Sequence, residues 1–226
     1  MDRMEQQKKA VAKAALKYVP ESGVLGLGSG STAELFIREV GALVAAGRKL
    51  VGVPSSAKSR ALAESLGIPL LSDEGPWNID VCFDGADEVD PKLDVIKGGG
   101  GALTREKIVI ASARRTVLLV DASKLSTSLG TVWSVPVEVT SFGHASTAAH
   151  LSKHGTPTLR TREGKPFVTD QGGVIYDVKT GPIVDTALLE RKIGSIPGVV
   201  MTGLFVGLAE RVIVAHADRI EERVRG

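Results

Sequence analysis

The chain is poor in the residues that define several protein classes. Only one of its 226 residues is a cysteine, Cys82. A lone thiol excludes an intrachain disulfide and a cysteine-rich zinc site. Flanked by Val81 and Phe83, it reads as a small hydrophobe in a buried strand. Aromatic residues make up 4%, and no basic block is interleaved with them, so a nucleic-acid surface is not expected. Neither sign of charge is in excess: 28 basic against 26 acidic residues leave a formal net charge of +2. No apolar run approaches the roughly 20 residues of a membrane span. The polar stretch 1–9 has no signal-peptide core. These absences leave a cytoplasmic protein, with neither membrane nor nucleic acid as a partner, as the expectation.

What is present is ordinary core material, 43% hydrophobic, and 26 glycines. Residues 3–19 carry a helical stripe of Val11, Ala12, Ala15, Leu16 and Val19. Short apolar strands follow at 24–27, 50–53, 70–71, 79–83 and 116–120, with helices between them over about 32–46 and up to about 66. Apolar strands alternating with helices predict an α/β fold: an open, mostly parallel sheet with helices on both faces. After about residue 130 the pattern changes to short strands at 135–139, 157–160, 167–169 and 173–178, with helices near 144–153 and 185–193. This reads as a smaller inserted α+β domain. Strands at 204–206 and 212–214 return to the first style, giving a catalytic domain of residues 1–130 and 204–226 and a small domain of 131–203. The charged segment 218–223 reads as a solvated helix end.

Three loops, each following a strand, carry the chemistry. Gly26-Leu27-Gly28-Ser29-Gly30-Ser31-Thr32 is placed like a phosphate loop. It lacks the Lys of a Walker loop and the third glycine of a dinucleotide fingerprint, so its hydroxyls and amides suit a monophosphate. An ordinary strand-to-helix turn would look the same. Asp84-Gly85-Ala86-Asp87-Glu88-Val89-Asp90 crowds carboxylates after a buried strand, where ligands of open α/β sheets bind. Crowded carboxylates suit proton transfer; a solvated acidic turn or a magnesium site would fit too, and EF-hand spacing is missing. Lys97-Gly98-Gly99-Gly100-Gly101 brings backbone close to a ligand just before a helix, and Lys97 can hold a phosphate or an oxyanion. Glu106 lies in that helix's first turn, a position the helix dipole alone also favours. Lys124, after Val120-Asp121-Ala122-Ser123, stands at a further strand end. His144, His150, His154 and His216 show no metal-ligand spacing. Together the loops point to an active site for a small phosphorylated molecule.

These motifs, with Pro136-Val137-Glu138-Val139 and Ile196-Pro197-Gly198-Val199-Val200, resemble ribose-5-phosphate isomerase, type A, nearly end to end and in unchanged order. The resemblance implies interconversion of D-ribose 5-phosphate and D-ribulose 5-phosphate through a cis-enediolate, in the pentose phosphate pathway. It implies Glu106 as the base, Asp84 in ring opening, Asp87 on sugar hydroxyls and Lys97 on the developing oxyanion. Ser29, Gly30, Ser31 and Thr32 fall on the family's substrate loop. Gly85 and Ala86 fall on its acidic turn, Gly98, Gly99 and Gly100 on a second cradle, and Lys124 and Lys8 on substrate-side lysines. It further implies an open Rossmann-like domain, no metal or organic cofactor, and a homodimer or homotetramer. Ser29 stands where the family loop commonly has threonine, which keeps the hydroxyl and loses a methyl. A sugar-phosphate-sensing module of a transcription regulator would need a DNA-binding segment beyond the one helix of residues 1–20. An amino-sugar-phosphate enzyme would release ammonia, and a coenzyme A transferase would form a glutamyl adduct.

Overall fold

The computed structural model describes residues 3–226. The first half of the chain runs through α1 (Arg3–Ala14, continued by a 3-10 turn, Ala15–Tyr18), β1 (Ser22–Leu27), α2 (Ser31–Ala45), β2 (Lys49–Pro54) and α3 (Ala57–Ser65). Next come β3 (Val81–Asp84), β4 (Glu88–Val89), β5 (Val95–Ile96), α4 (Leu103–Ala111) and β6 (Thr116–Asp121). The second half contains β7 (Val135–Val139), α5 (His144–Leu151), β8 (Thr156–Leu159), β9 (Thr161–Arg162), β10 (Lys165–Pro166) and β11 (Val174–Lys179). It ends with α6 (Thr186–Gly194), β12 (Val199–Thr202), β13 (Leu204–Phe205), β14 (Arg211–Ala215) and β15 (Ile220–Val224).

The chain forms two compact units. The first takes the residues up to Ala86, Arg105–Lys124 and Leu208–Gly226. It holds a six-stranded sheet in the order β15-β14-β6-β3-β1-β2, parallel except at β15. Period-two alternation sorts the side chains of β1: Leu25 and Leu27 join Phe83, Val117 and Leu119 in a core with Val11, Ala15, Phe36 and Ile37 of the helical segments. Phe36 stacks on Phe83 with ring centroids 4.2 Å apart. On the other face, a side chain at Gly26 would meet Cys82 and, at 2.9 Å, Val109 of α4, so α4 packs against the glycine position. Cys82 is buried there as a small hydrophobe.

The second unit takes Asp87–Thr104 and Leu125–Gly207. Its main sheet is antiparallel, in the order β12-β7-β11-β8, and Val135, Val137, Val139, Tyr176 and Val178 pack with Leu151 and Ile193. A second small sheet runs β13-β5-β4.

Several sequence readings change here. Leu204–Phe205 does not rejoin the parallel sheet; it pairs antiparallel with β5, Leu204 opposite Ile96, and both are buried in the second unit's core. That pairing, with β4 on β5, moves residues 87–104 out of the first unit, and the later boundaries fall at Lys124/Leu125 and Gly207/Leu208. The segment 218–223 holds no helix and from Ile220 is strand: β15 pairs with β14 from Ala215 opposite Ile220 to Arg211 opposite Val224. Its alternating charges are those of an edge strand, where they discourage further pairing. Leu70 makes only an isolated bridge to Gly52, and Val168 one to Val174.

Candidate active site

The sheet order fixes where a site can form. From β1 the chain moves outward to β2, then returns to place β3 on the other side of β1. Ligands of such sheets bind beyond the carboxyl ends of the strands at this switch point. β1 runs into Gly28-Ser29, and β3 ends in Asp84. The two strand ends interlock: Gly28 N donates to Phe83 O at 2.9 Å, and Ser29 N donates to Asp84 Oδ1 at 3.0 Å. Gly85 N adds a bond of 2.7 Å to the same carboxylate oxygen. Only glycine fits at 28, because a Cβ there would overlap the Asp84 carboxylate and stand 2.6 Å from its Cα. Asp84 is fully buried. Ala86 is the last residue of this turn within the first unit.

Around this junction stand the unit's other predicted residues. Gly30 is the N-cap of α2, with Ser31 and Thr32 in its first turn. Gly30 has no side chain to cap the helix, so the first-turn amides face outward, as anion binding requires. Lys8 on α1 donates from Nζ to Ser31 Oγ at 2.9 Å, so a cation reaches the same turn. Ser29 Oγ lies 2.9 Å from Oγ of buried Ser55, at the end of β2, a loop neighbour that no motif marked. Lys124 sits in the 3-10 turn after β6, the strand beside β3. Glu106 lies in the first turn of α4 and is 4% exposed. One turn farther along, Val109 packs toward Gly26 of β1. A helix crossing back over a parallel sheet begins at the carboxyl ends of the strands, so Glu106 is at that end too.

The second unit carries the rest. Lys97 is buried, its amide donates to Gly203 O at 2.9 Å, and its Nζ lies 5.7 Å from the Phe205 ring centroid. Gly98 to Gly101 form a turn closed by Gly101 N on Gly98 O at 3.0 Å. Gly101 has φ +92° and lies against the Phe167 ring, so two constraints require glycine there. Asp87 Oδ2 accepts from Gly99 N at 2.7 Å, which ties the acidic turn to the cradle.

The acidic segment does not act as one group. Glu88 is buried and accepts from the amides of Gly130, Val132 and Trp133 at 3.0, 3.2 and 3.0 Å. Asp90 folds its own loop, taking the amides of Lys92 and Asp94 at 2.9 Å each. Burial pushes the Asp90 carboxyl up from the usual range, against the lowering effect of the Asp94 amide. Asp84 and Asp87 remain as the carboxylates of this segment with a place among the predicted site residues. Among the described residues no three His, Cys, Asp or Glu side chains form a cluster able to hold a metal ion. No helix among them is long and apolar enough to cross a membrane.

The family model for ribose 5-phosphate isomerase A (phosphoriboisomerase A) matches residues 51–219. The ribose-5-phosphate isomerase A of Parvibaculum lavamentivorans is 47% identical over 218 residues, 93% of this chain and 94% of that protein. The chain belongs to the ribose 5-phosphate isomerase A family. That of Desulfatibacillum aliphaticivorans is 44% identical, covering 98% of both. A solved D-ribose-5-phosphate isomerase in complex with phospho-erythronic acid superposes with a TM-score of 0.95, at 38% identity and full coverage of both chains. The enzyme from Methanocaldococcus jannaschii gives 0.91 at 40% identity, covering 97% of this chain and 99% of its own. These matches support the open α/β fold with its mostly parallel sheet.

Sequence reasoning missed the residues that brace the site. Glu138, in a quoted motif but given no role, is 1% exposed. It accepts a close hydrogen bond from Thr104, in the first turn of α4, and one of 2.5 Å from Thr169. Arg160, read as the end of the strand 157–160, was given no role. Its partners lie 17, 61 and 62 positions away in sequence, so no local motif points to them.

Proposed function

We propose that this chain interconverts D-ribose 5-phosphate and D-ribulose 5-phosphate. The observation that carries the reading is the match to ribose-5-phosphate isomerases A over nearly the whole chain. Asp84, Asp87, Lys97, Glu106 and Lys124 all fall inside the segment that the family model covers.

Each group has a task suited to its chemistry. The phosphate takes the α2 N-terminus with Ser29 to Thr32, joined by Lys8 and Lys124. Asp84, rigid on its two amides, serves ring opening, and Asp87 takes sugar hydroxyls. In the open chain the Glu106 carboxylate accepts the proton from C2. The electron pair forms the C1–C2 double bond, and the charge that reaches O1 is met by Lys97. The cis-enediolate then takes the proton from Glu106 at C1 while the hydroxyl proton passes from O2 to O1. The carbonyl is left at C2, and atoms and charge balance. No step requires a metal or organic cofactor. The family resemblance extends the proposal to a homodimer or homotetramer working in the cytoplasm.

The test is turnover of D-ribose 5-phosphate by wild type and Glu106→Gln. Removing the base should cut kcat by about a hundredfold or more, while substrate binding by calorimetry largely survives. Near-wild-type turnover in Glu106→Gln would take the base role from this residue.

A further inference from the structure

The glycine run is held from behind by a single guanidinium. Arg160 follows β8 at the base of the β9–β10 hairpin; its amide donates to Ile175 O at 2.8 Å and its carbonyl accepts from Phe167 N at 2.9 Å. The side chain, 15% exposed, makes two sets of bonds. Toward Asp177 on β11, Nε donates to Oδ2 at 2.9 Å and Nη2 to Oδ1 at 2.5 Å. Toward the cradle, Nη1 donates to Gly98 O at 2.7 Å and to Gly99 O at 3.2 Å.

The consequence follows from peptide geometry. In a trans peptide the carbonyl and the next N–H point in opposite directions. With Gly98 O on Arg160, the Gly99 N–H faces away, where it donates to Asp87 Oδ2 at 2.7 Å. With Gly99 O on the same guanidinium, the Gly100 N–H is turned away from Arg160 as well. Glycines do not restrain these planes themselves. The Asp177 fork fixes the guanidinium, and the guanidinium adds to the turn's own Gly101 N bond on Gly98 O in fixing the planes.

We propose that Arg160, locked by Asp177, is a positioning residue for sugar-phosphate affinity: it sets the direction of the Gly99 and Gly100 amides and, through Gly99, the Asp87 carboxylate. The inference rests on the reading of Asp87 and Gly98 to Gly100 as substrate-facing groups. Lysine cannot replace arginine here, since a point charge on a flexible stem cannot grip the Asp177 fork and two carbonyls together.

The test is steady-state isomerisation and thermal melting of wild type, Arg160→Ala, Arg160→Lys, Asp177→Asn and Lys165→Gln. In Arg160→Ala and Arg160→Lys, KM should rise about tenfold or more while kcat falls less, from the loss of charge-assisted bonds. Asp177→Asn should raise KM by a smaller factor, and millimolar methylguanidinium should lower the KM of Arg160→Ala. Lys165→Gln removes an exposed charge from the same hairpin without touching the glycine carbonyls, so its KM should stay within about twofold. If Arg160→Ala fails to fold, Arg160→Lys and Asp177→Asn decide the matter. An unchanged KM in those two, with active wild type, overturns the positioning role and leaves the isomerase reading intact. An equal rise in Lys165→Gln overturns it in favour of bulk charge. Absent turnover in wild type overturns the isomerase reading itself.

Discussion

Gly28 and Asp84 illustrate how closely this site is built at the scale of single residues. The missing side chain at 28 leaves the space that the Asp84 carboxylate occupies, and two amides then hold that carboxylate. Gly28→Ala should therefore lower stability by about 1–3 kcal/mol, as overpacking does, and depress kcat as well; a melt and an assay measure both. Lys97→Ala should lose far more in kcat than in melting temperature, and equal losses would make Lys97 structural. At this scale the sequence was informative wherever a residue type is itself unusual: a run of glycines, a buried-looking carboxylate, a lysine at a strand end. It was silent on Arg160 and Asp177, ordinary surface types whose meaning comes from glycine carbonyls 62 and 61 positions away for Arg160 and from the Arg160 guanidinium for Asp177.

Among the elements, α4 carries the largest load. Its first turn holds Glu106, and two residues earlier Thr104 is bonded to buried Glu138 of β7, which also takes Thr169. Thr169 in turn accepts from the amides of Gln171 and Gly173 at 3.2 and 3.1 Å. One carboxylate thus joins a strand, a helix start and a turn. Glu138→Ala leaves two hydroxyls without their acceptor and should cost about 1–3 kcal/mol, visible as a lower denaturant midpoint at unchanged m-value. An unaltered midpoint would remove Glu138 from this bracing role. The alternation of strands and helices in the first half was legible because buried parallel strands are continuous apolar runs. β15 was not: Ile220-Glu221-Glu222-Arg223-Val224 carries charge on both sides, and only its pairing with β14 makes it a strand. β13 was visible as a strand but not its sheet, since two residues cannot name their partner.

On the scale of the whole molecule, acid should weaken the fold through three surface carboxylates of the first unit. Hydrogen bonds from Lys17 and Tyr18 hold Glu222 below the usual glutamate range, Arg115 does the same for Glu210, and Arg223 with His216 for Glu221. A depressed native value gives stability that is present above the unfolded range, near pH 4.3, and lost as pH falls through the native values. Asp90, raised by burial, acts in the opposite sense, favouring the fold when protonated and losing that contribution as pH rises through its native value. The melting temperature should fall below about pH 4, and Glu222→Gln should shrink that fall; an identical acid limb in the variant would rule Glu222 out as a contributor. The central claim is tested most directly by following conversion of D-ribose 5-phosphate to D-ribulose 5-phosphate, with EDTA present, by wild type beside Glu106→Gln. The wild type should sustain turnover, and a folded Glu106→Gln that still binds substrate should lose nearly all of it. Equal activity in both proteins, or none in a folded wild type, would contradict the claim.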